Sequence, residues 1–452
     1  MGSVWRVGVA AVGLLSCGAD PGESHPPPIT TATVCADPAL TWEGFAQPFL
    51  TTWCASCHGT DLVGDARHGA PDDLNFGTLA ETVPFASLIR SVAVDGLSMP
   101  PTNAVPPEDR VRLGDWIACG LPGTDVAPPQ ITFCSDLRYH DGDVTLGAAP
   151  AGACTTWNAV DGDLDFDTTS PLLGCLCEVT GDLTITTADV ARLPELVRVG
   201  GDLRVDPSAS STLLDAPYLT AVDGTIVVAD VSSIERVNFP RLATVGGGIQ
   251  FARDPALTTV SGMQAVEAVG GHLEFLDLDA LLTLNAVPLA TTVDGRIAIT
   301  GNGALTSVWV GDALAINTAG IEIADNPALT YVGGLPQLTS AGKIVLRQLP
   351  VLASLPTFLA LDTAKGLTIS GADQISSLAG FETLRTVNGA VEVSANASLT
   401  AVDALDRIGS VDGDFRVIDN PVLPTSGVDA LVLAIGVENI TGTVDQSGNG
   451  PG

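Results

Sequence analysis

The stretch Gly320-Ile321-Glu322-Ile323-Ala324-Asp325-Asn326-Pro327-Ala328-Leu329-Thr330-Tyr331-Val332 contains the pattern that decides the fold of most of this chain. Two apolar residues flank one polar position directly after a glycine, as expected for a short strand that follows a tight turn. An Asn-Pro corner comes next, and a second apolar segment follows it. The same apolar pair recurs every 20 to 24 residues, at Leu183/Ile185, Leu203/Val205, Ile226/Val228, Ile249/Phe251, Leu273/Phe275, Ile297/Ile299, Ile321/Ile323, Ile344/Leu346, Leu367/Ile369, Val391/Val393 and Phe415/Val417.

This fixed period predicts a solenoid over residues 134–452, with weaker pairs at Val144/Leu146 and Leu164/Phe166 extending the series backwards. One turn cannot bury its apolar residues alone, so the turns must stack into one continuous core. The repeat resembles the receptor L-domain, which is related to leucine-rich repeats. That resemblance implies a long right-handed β-helix. The alternative is a leucine-rich-repeat horseshoe, which would carry a helix in each repeat and a steadier asparagine position.

The chain is strongly acidic, with 52 Asp and Glu residues against 19 Lys and Arg residues and a net charge of −33. This charge argues against binding nucleic acid and against attraction to anionic lipid head groups. A partner that is recognised through charge should therefore be basic.

The first 17 residues have the composition of an export signal. Arg6 precedes the apolar segment Val7–Leu15, which is too short to span a bilayer. The sequence Leu14-Leu15-Ser16-Cys17 resembles the lipobox of bacterial lipoproteins. That resemblance implies a lipid anchor on Cys17. Gly18 after the cysteine then favours a location at the outer membrane or cell surface. An anchor that faces the periplasm is the alternative. The alternative is an ordinary cleaved signal peptide. Residues 18–34 contain four prolines and are expected to form an extended tether.

Residues 35–125 are expected to form the first folded unit, which contains Cys54-Ala55-Ser56-Cys57-His58. Cys-x-x-Cys-His is the attachment signature for c-type haem. Two other interpretations are a redox-active disulfide and a zinc site with His68 as the nearest fourth ligand. Apolar residues at helical spacing lead into the motif, and Pro48 predicts a kink or a helix start among them; these residues are Phe45, Phe49, Leu50 and Trp53.

A second helix is predicted where Pro106-Pro107-Glu108-Asp109 begins an amphipathic segment. Its expected apolar face consists of Val111, Leu113, Trp116 and Ile117. Between the two helices lies Ser98-Met99-Pro100-Pro101.

With these three pieces in this order, the segment resembles a class I cytochrome c domain, which is a small all-α fold. The resemblance implies one haem c held covalently by Cys54 and Cys57. It assigns His58 as the proximal iron ligand and Met99 as the distal ligand. Two prolines after Met99 would stiffen the loop that holds a weak thioether ligand. His68 is the rival sixth ligand.

The chain has nine cysteines, and the last 275 residues have none. If Cys17 carries lipid and two others carry haem, six remain for three disulfides in an oxidising compartment. We expect Cys35 and Cys119 to pair and to clamp the first domain. The other four should form disulfides that close the exposed end of the solenoid, and the sequence does not decide how they pair. They are Cys134, Cys154, Cys175 and Cys177. A short linker, residues 126–133, would join the two domains.

These features predict an exported, lipid-anchored electron carrier on a solenoid scaffold, with a basic redox protein as its partner. No catalytic residue is expected. An alternative function is surface recognition, with a glycan or protein bound to the solenoid and the haem domain as a sensor or accessory module. A peroxidase-type enzyme is a third possibility, and it would require Met99 to leave the iron.

Overall fold

The computed structural model describes residues 40–54, 58–59, 67, 74–95, 99, 107–123, 134, 136–145, 153–166, 175–186 and 190–451. Within these residues a small helical unit precedes a long parallel β-solenoid. The two parts have separate apolar cores.

Parallel strands of neighbouring turns form three ladders along the solenoid. The second ladder contains the predicted apolar pairs, and all eleven of them lie in its strands. Its members are β3 (Leu164–Phe166), β5 (Leu183–Ile185), β8 (Leu203–Val205), β11 (Ile226–Ala229), β14 (Ile249–Ala252), β17 (Leu273–Leu276), β20 (Ile297–Thr300), β23 (Ile321–Ala324), β28 (Val391–Ser394), β30 (Phe415–Ile418) and β31 (Val444–Asp445).

The first ladder precedes the second in each turn and shares two long strands with it, β25 (Ser340–Arg347) and β26 (Thr363–Ser370). Its other members are β1 (Tyr139–Asp141), β2 (Ala159–Asp161), β4 (Glu178–Val179), β7 (Arg198–Val199), β10 (Ala221–Val222), β13 (Thr244–Val245), β16 (Ala268–Val269), β19 (Thr292–Val293), β22 (Ile316–Asn317), β27 (Thr386–Val387) and β29 (Ser410–Val411).

The third ladder follows the corner of seven of the described turns and consists of two short sheets, of four and three strands. Its members are β6 (Val190–Arg192), β9 (Leu213–Asp215), β12 (Arg236–Asn238) and β15 (Thr259–Ser261), and then β18 (Thr283–Asn285), β21 (Ser307–Trp309) and β24 (Tyr331–Gly333). Strands therefore occupy the positions where a horseshoe would need helices.

Parallel pairing without an offset places equivalent side chains directly above one another. Ile297, Ile321 and Ile344 are register partners, and all three are buried. Phe251 and Phe275 stack with ring centroids 5.6 Å apart. Such burial stabilises the fold by about 1.5–3 kcal/mol per large side chain. The predicted solenoid with one continuous core is confirmed.

Buried asparagines satisfy the backbone where four of the described turns leave the second ladder. Asn326 Oδ1 accepts a hydrogen bond from the Asn302 amide N–H at 3.0 Å, while its Nδ2 donates to the Ile299 carbonyl at 2.9 Å. The same arrangement recurs at Asn302, Asn396 and Asn420. Each amide therefore pairs backbone groups that would otherwise be buried without partners.

Asp254 occupies the same position in an earlier turn and is fully buried. Its Oδ1 accepts the Val231 N–H at 2.8 Å, but among the described residues no hydrogen-bond partner reaches its Oδ2. Burial raises the pKa of Asp254 from 3.8 to about 7, although hydrogen bonds from the backbone oppose the shift. A protonated Oδ2 could donate as an asparagine amide does, whereas an ionised one cannot.

We expect Asp254→Asn to stabilise the solenoid at neutral and alkaline pH. Because the folded-state pKa lies above the unfolded value, ionisation of Asp254 removes stability as pH rises from about 4 to about 7. At about 1.4 kcal/mol per pKa unit, the full cost is up to about 4 kcal/mol. Thermal unfolding should give a higher Tm for the variant at pH 8 and nearly equal values near pH 3. The exposed Asp373→Asn is the control, and equal Tm values for both variants at pH 8 would contradict the prediction.

Both ends of the solenoid are closed. Disulfides join Cys134 to Cys177 and Cys154 to Cys175, which gives the predicted cap its connectivity. At the other end, helix α5 (Thr425–Ile435) lays four apolar residues on the last turns, namely Val428, Leu431, Val432 and Ile435. The helix covers apolar core that an open solenoid end would expose, and the disulfides tie the first turns together.

The helical unit consists of short segments. A π-helical turn (Trp42–Ala46) leads into α1 (Gln47–Trp53), and α2 (Leu79–Thr82), a 3₁₀ turn (Val83–Phe85) and α3 (Ala86–Ile89) follow. A second π-helical turn (Arg90–Asp95) precedes α4 (Pro107–Ala118). Among the described residues, no helix is both long and apolar enough to cross a membrane.

The core of this unit confirms most of the predicted helical faces. Pro48 lies in the first turn of α1, which agrees with the prediction that a helix starts there. Phe45, Phe49 and Leu50 are buried, as are Leu113, Trp116 and Ile117 of α4. The prediction for Val111 is wrong: its side chain is 60% exposed, because it projects from the side of α4 that faces away from this core.

Candidate functional site

The cysteine-histidine motif begins where α1 ends. The Cys54 N–H donates to the Leu50 carbonyl at 2.8 Å, and the His58 N–H donates to the Cys54 carbonyl at 2.9 Å. The second bond spans four residues, so Cys54 and His58 lie one helical turn apart on the same face. Cys57, the third residue of the motif, lies outside the described residues.

The His58 ring is held in one orientation. Its Nδ1 lies 2.9 Å from the Leu74 carbonyl, and because a carbonyl can only accept, Nδ1 carries the proton. The ring also packs against Phe76, with centroids 4.7 Å apart. This leaves Nε2 with a lone pair for a metal. Metal-binding histidines usually show this second hydrogen bond, which fixes both tautomer and orientation.

The surroundings of His58 favour its neutral form. Burial lowers the pKa of His58 below its ordinary value of 6.5. The hydrogen bond to Leu74 opposes this shift, and the positive charge of Arg67 adds to it. The imidazole is therefore uncharged at neutral pH, as a metal ligand must be.

Arg67 is almost fully buried beside His58. Its guanidinium donates to the carbonyls of Gly59 and Leu74 at 3.2 and 3.0 Å and to Asn75 Oδ1 at 3.0 Å. It thus ties the residue after the motif to the segment that orients His58. Sequence reasoning did not single out Arg67, because nothing in its spacing distinguishes it from a surface arginine. Its neighbour His68, the rival ligand, lies outside the described residues.

Met99, the predicted distal ligand, is anchored through its backbone. Its N–H donates to the Val92 carbonyl at 2.8 Å, and its carbonyl accepts from Arg110 at 2.7 Å. The same Arg110 nitrogen also donates to the Ala93 carbonyl, and the Arg110 side chain is buried. The Met99 side chain is 44% exposed. The Met99 backbone is therefore held at both its N–H and its carbonyl, while the residue remains partly exposed.

Two tryptophans hold the ends of the helical unit together. The rings of Trp42 and Trp116 lie 6.0 Å apart, and Trp116 Nε1 donates to the Pro122 carbonyl at 3.0 Å. Cys119 takes part in a disulfide. Its predicted partner, Cys35, lies outside the described residues, as does the predicted lipid anchor, Cys17.

We expect Arg110→Ala to release the Met99 loop, because it removes buried hydrogen bonds to the Ala93 and Met99 carbonyls. Losing buried hydrogen bonds of a charged group costs about 1.5–3 kcal/mol. Hydrogen exchange measured by mass spectrometry should show at least tenfold faster exchange in peptides spanning Val92 to Met99. Val111→Ala changes an exposed residue of the same helix and is the control. Unchanged exchange in Arg110→Ala would contradict this role.

Comparison of the chain with protein-family models, with curated proteins and with solved structures finds no match.

Proposed function

We propose that this chain is an exported c-type cytochrome that transfers single electrons through one covalently bound haem. The observation that carries the proposal is the helical turn from Cys54 to His58, with the His58 Nδ1 proton fixed on the Leu74 carbonyl. This turn carries a thiol and a neutral imidazole on one face, within a sequence that matches the attachment signature for c-type haem.

The residues present fit a haem of this type. Cys54 and Cys57 would hold the porphyrin through thioether bonds, and His58 and Met99 would bind the iron. A haem held by these residues would supply reversible Fe(III)/Fe(II) exchange, and two protein ligands on the iron would favour electron transfer over chemistry on oxygen or peroxide. We also propose that residues 35–125 adopt the class I cytochrome c fold.

The protein's own groups would tune such a site. Arg67 places a buried positive charge beside His58, which favours the uptake of an electron. Arg110 fixes the backbone on which Met99 is carried. Leu74 holds the imidazole orientation. The chain itself thus supplies orientation and electrostatics, which are the contributions expected of a protein to cofactor chemistry.

The other parts of the chain would determine where the proposed cytochrome is held. Cys17 would anchor the chain by lipid, with the outer membrane or cell surface favoured, and residues 18–34 would act as a tether. The solenoid, proposed to be of the right-handed receptor L-domain type, would be its scaffold. A redox partner that meets this chain through charge would be basic, since the net charge is −33.

Covalent attachment can be tested on denaturing, reducing gels stained for haem. In a host that attaches c-type haem, the wild-type chain should stain, whereas Cys54→Ser and Cys57→Ser should each lose most of the stain. His272→Ala alters an exposed histidine of the solenoid and should stain like wild type. A wild-type chain that carries no covalent haem would end the electron-transfer proposal.

Axial ligation can be tested by absorbance spectroscopy. We expect the wild type to be low-spin when oxidised and reduced, and Met99→Ala to become high-spin, because the sixth ligand is lost. His68→Ala is the matched control and should leave the spectrum unchanged. If Met99→Ala leaves the spectrum unchanged and His68→Ala alters it, the assignment of Met99 is wrong.

A further inference from the structure

A cleft lies between the helical unit and the third ladder of the solenoid. One wall is formed by Phe85 and Leu88 of the helical unit, and the other by Thr283, Asn285 and Trp309 of strands β18 and β21. The cleft does not include Cys54, His58 or Met99, so it is separate from the proposed haem site.

An aromatic surface is held rigidly on the solenoid side. Trp309 and Tyr331 stack with centroids 6.2 Å apart and ring planes 20° from parallel. Gly333, the register partner of Trp309, leaves the space that this arrangement needs, because a Cβ there would lie 2.5 Å from the Trp309 ring. A flat apolar surface is thus fixed against the cleft before any ligand arrives.

Polar groups lie beside this surface. Asn285 is the register partner of Trp309 on the preceding strand, β18, and Thr283 and Ser307 are register partners two residues earlier in the same two strands. The Asn285 Oδ1 atom is buried, and no donor among the described residues reaches it. A buried acceptor without a donor costs about 1–3 kcal/mol. A ligand that brings a hydroxyl hydrogen would remove that cost.

The charge of the cleft is unusual for this chain. Although acidic residues outnumber basic ones 52 to 19, the described residues that line the cleft include no carboxylate, and Arg90 is among them. This composition disfavours a cationic ligand. A wholly apolar ligand would leave Asn285 and the hydroxyls without partners. The lining instead fits a molecule with an apolar face and several hydroxyl groups.

We propose that this cleft binds a neutral saccharide. The C–H face of a sugar ring would lie against Trp309, with Phe85 on the opposite wall. A sugar hydroxyl would donate to Asn285 Oδ1, and Thr283 and Ser307 would exchange hydrogen bonds with others. The site draws on both parts of the chain, so the helical unit would complete the saccharide site that the solenoid begins.

Isothermal titration calorimetry on the full chain tests this directly, with cellotetraose, chitotetraose and maltotetraose as probes. At least one should bind, and Trp309→Ala and Asn285→Ala should each weaken that binding tenfold or more. Trp309→Phe keeps an aromatic ring and should recover much of the affinity. Tyr139→Ala removes an exposed aromatic residue of the first strand and is the control. Circular dichroism establishes that each variant is folded.

Two results would overturn the proposal: no binding of any of the three probes, or binding that Trp309→Ala and Asn285→Ala leave unchanged. The titration is repeated on Cys54→Ser, in which covalent haem attachment is impaired. Binding there should equal that of the wild type, so the saccharide site and the haem proposal can fail independently.

Discussion

The hydrogen-bonded stacking of parallel turns is the constraint on which the rest of this structure depends. Turns that stack at about 4.8 Å must place equivalent residues above one another. A side chain at one position is therefore packed against its own counterpart in the next turn, as Ile297 is against Ile321. Because of this stacking, a residue that differs from its counterparts in neighbouring turns can lack a hydrogen-bond partner. Where the asparagine position holds Asp254, one carboxylate oxygen is left buried without a partner among the described residues.

Stacking also explains how the solenoid begins and ends. A turn in the middle has a neighbour on each side, whereas the first and last turns have only one. Two disulfides close the first turns and helix α5 closes the last. Acidic side chains also form hydrogen bonds between neighbouring turns. Asp182 Oδ1 accepts the Asp202 N–H, and Asp163 Oδ1 accepts the Asp182 N–H. Part of the large negative charge therefore has a structural use.

The sequence predicts the repeated strands of the solenoid and most of the local helical pattern. The apolar pairs identified the second ladder, and residues such as Leu113 and Trp116 were placed correctly in the helical core. Val111 was misplaced because the 3.6-residue period does not say how wide the buried face of a helix is. The disulfide connectivity of the cap could not be deduced, since four cysteines allow three pairings.

What the sequence could not reveal depends on contacts between distant segments. Arg67 and Arg110 bind carbonyl groups, which carry no sequence signal. The cleft exists because the segment around Phe85 meets Trp309, more than two hundred residues away.

The central claim is that Cys54 and Cys57 carry a haem whose iron His58 binds. Mass spectrometry of proteolytic fragments, made from chain produced with c-type haem maturation, tests it most directly. The fragment that contains both cysteines should gain the mass of one haem. Recovery of that fragment without added mass, as two thiols or as an internal disulfide, would contradict it.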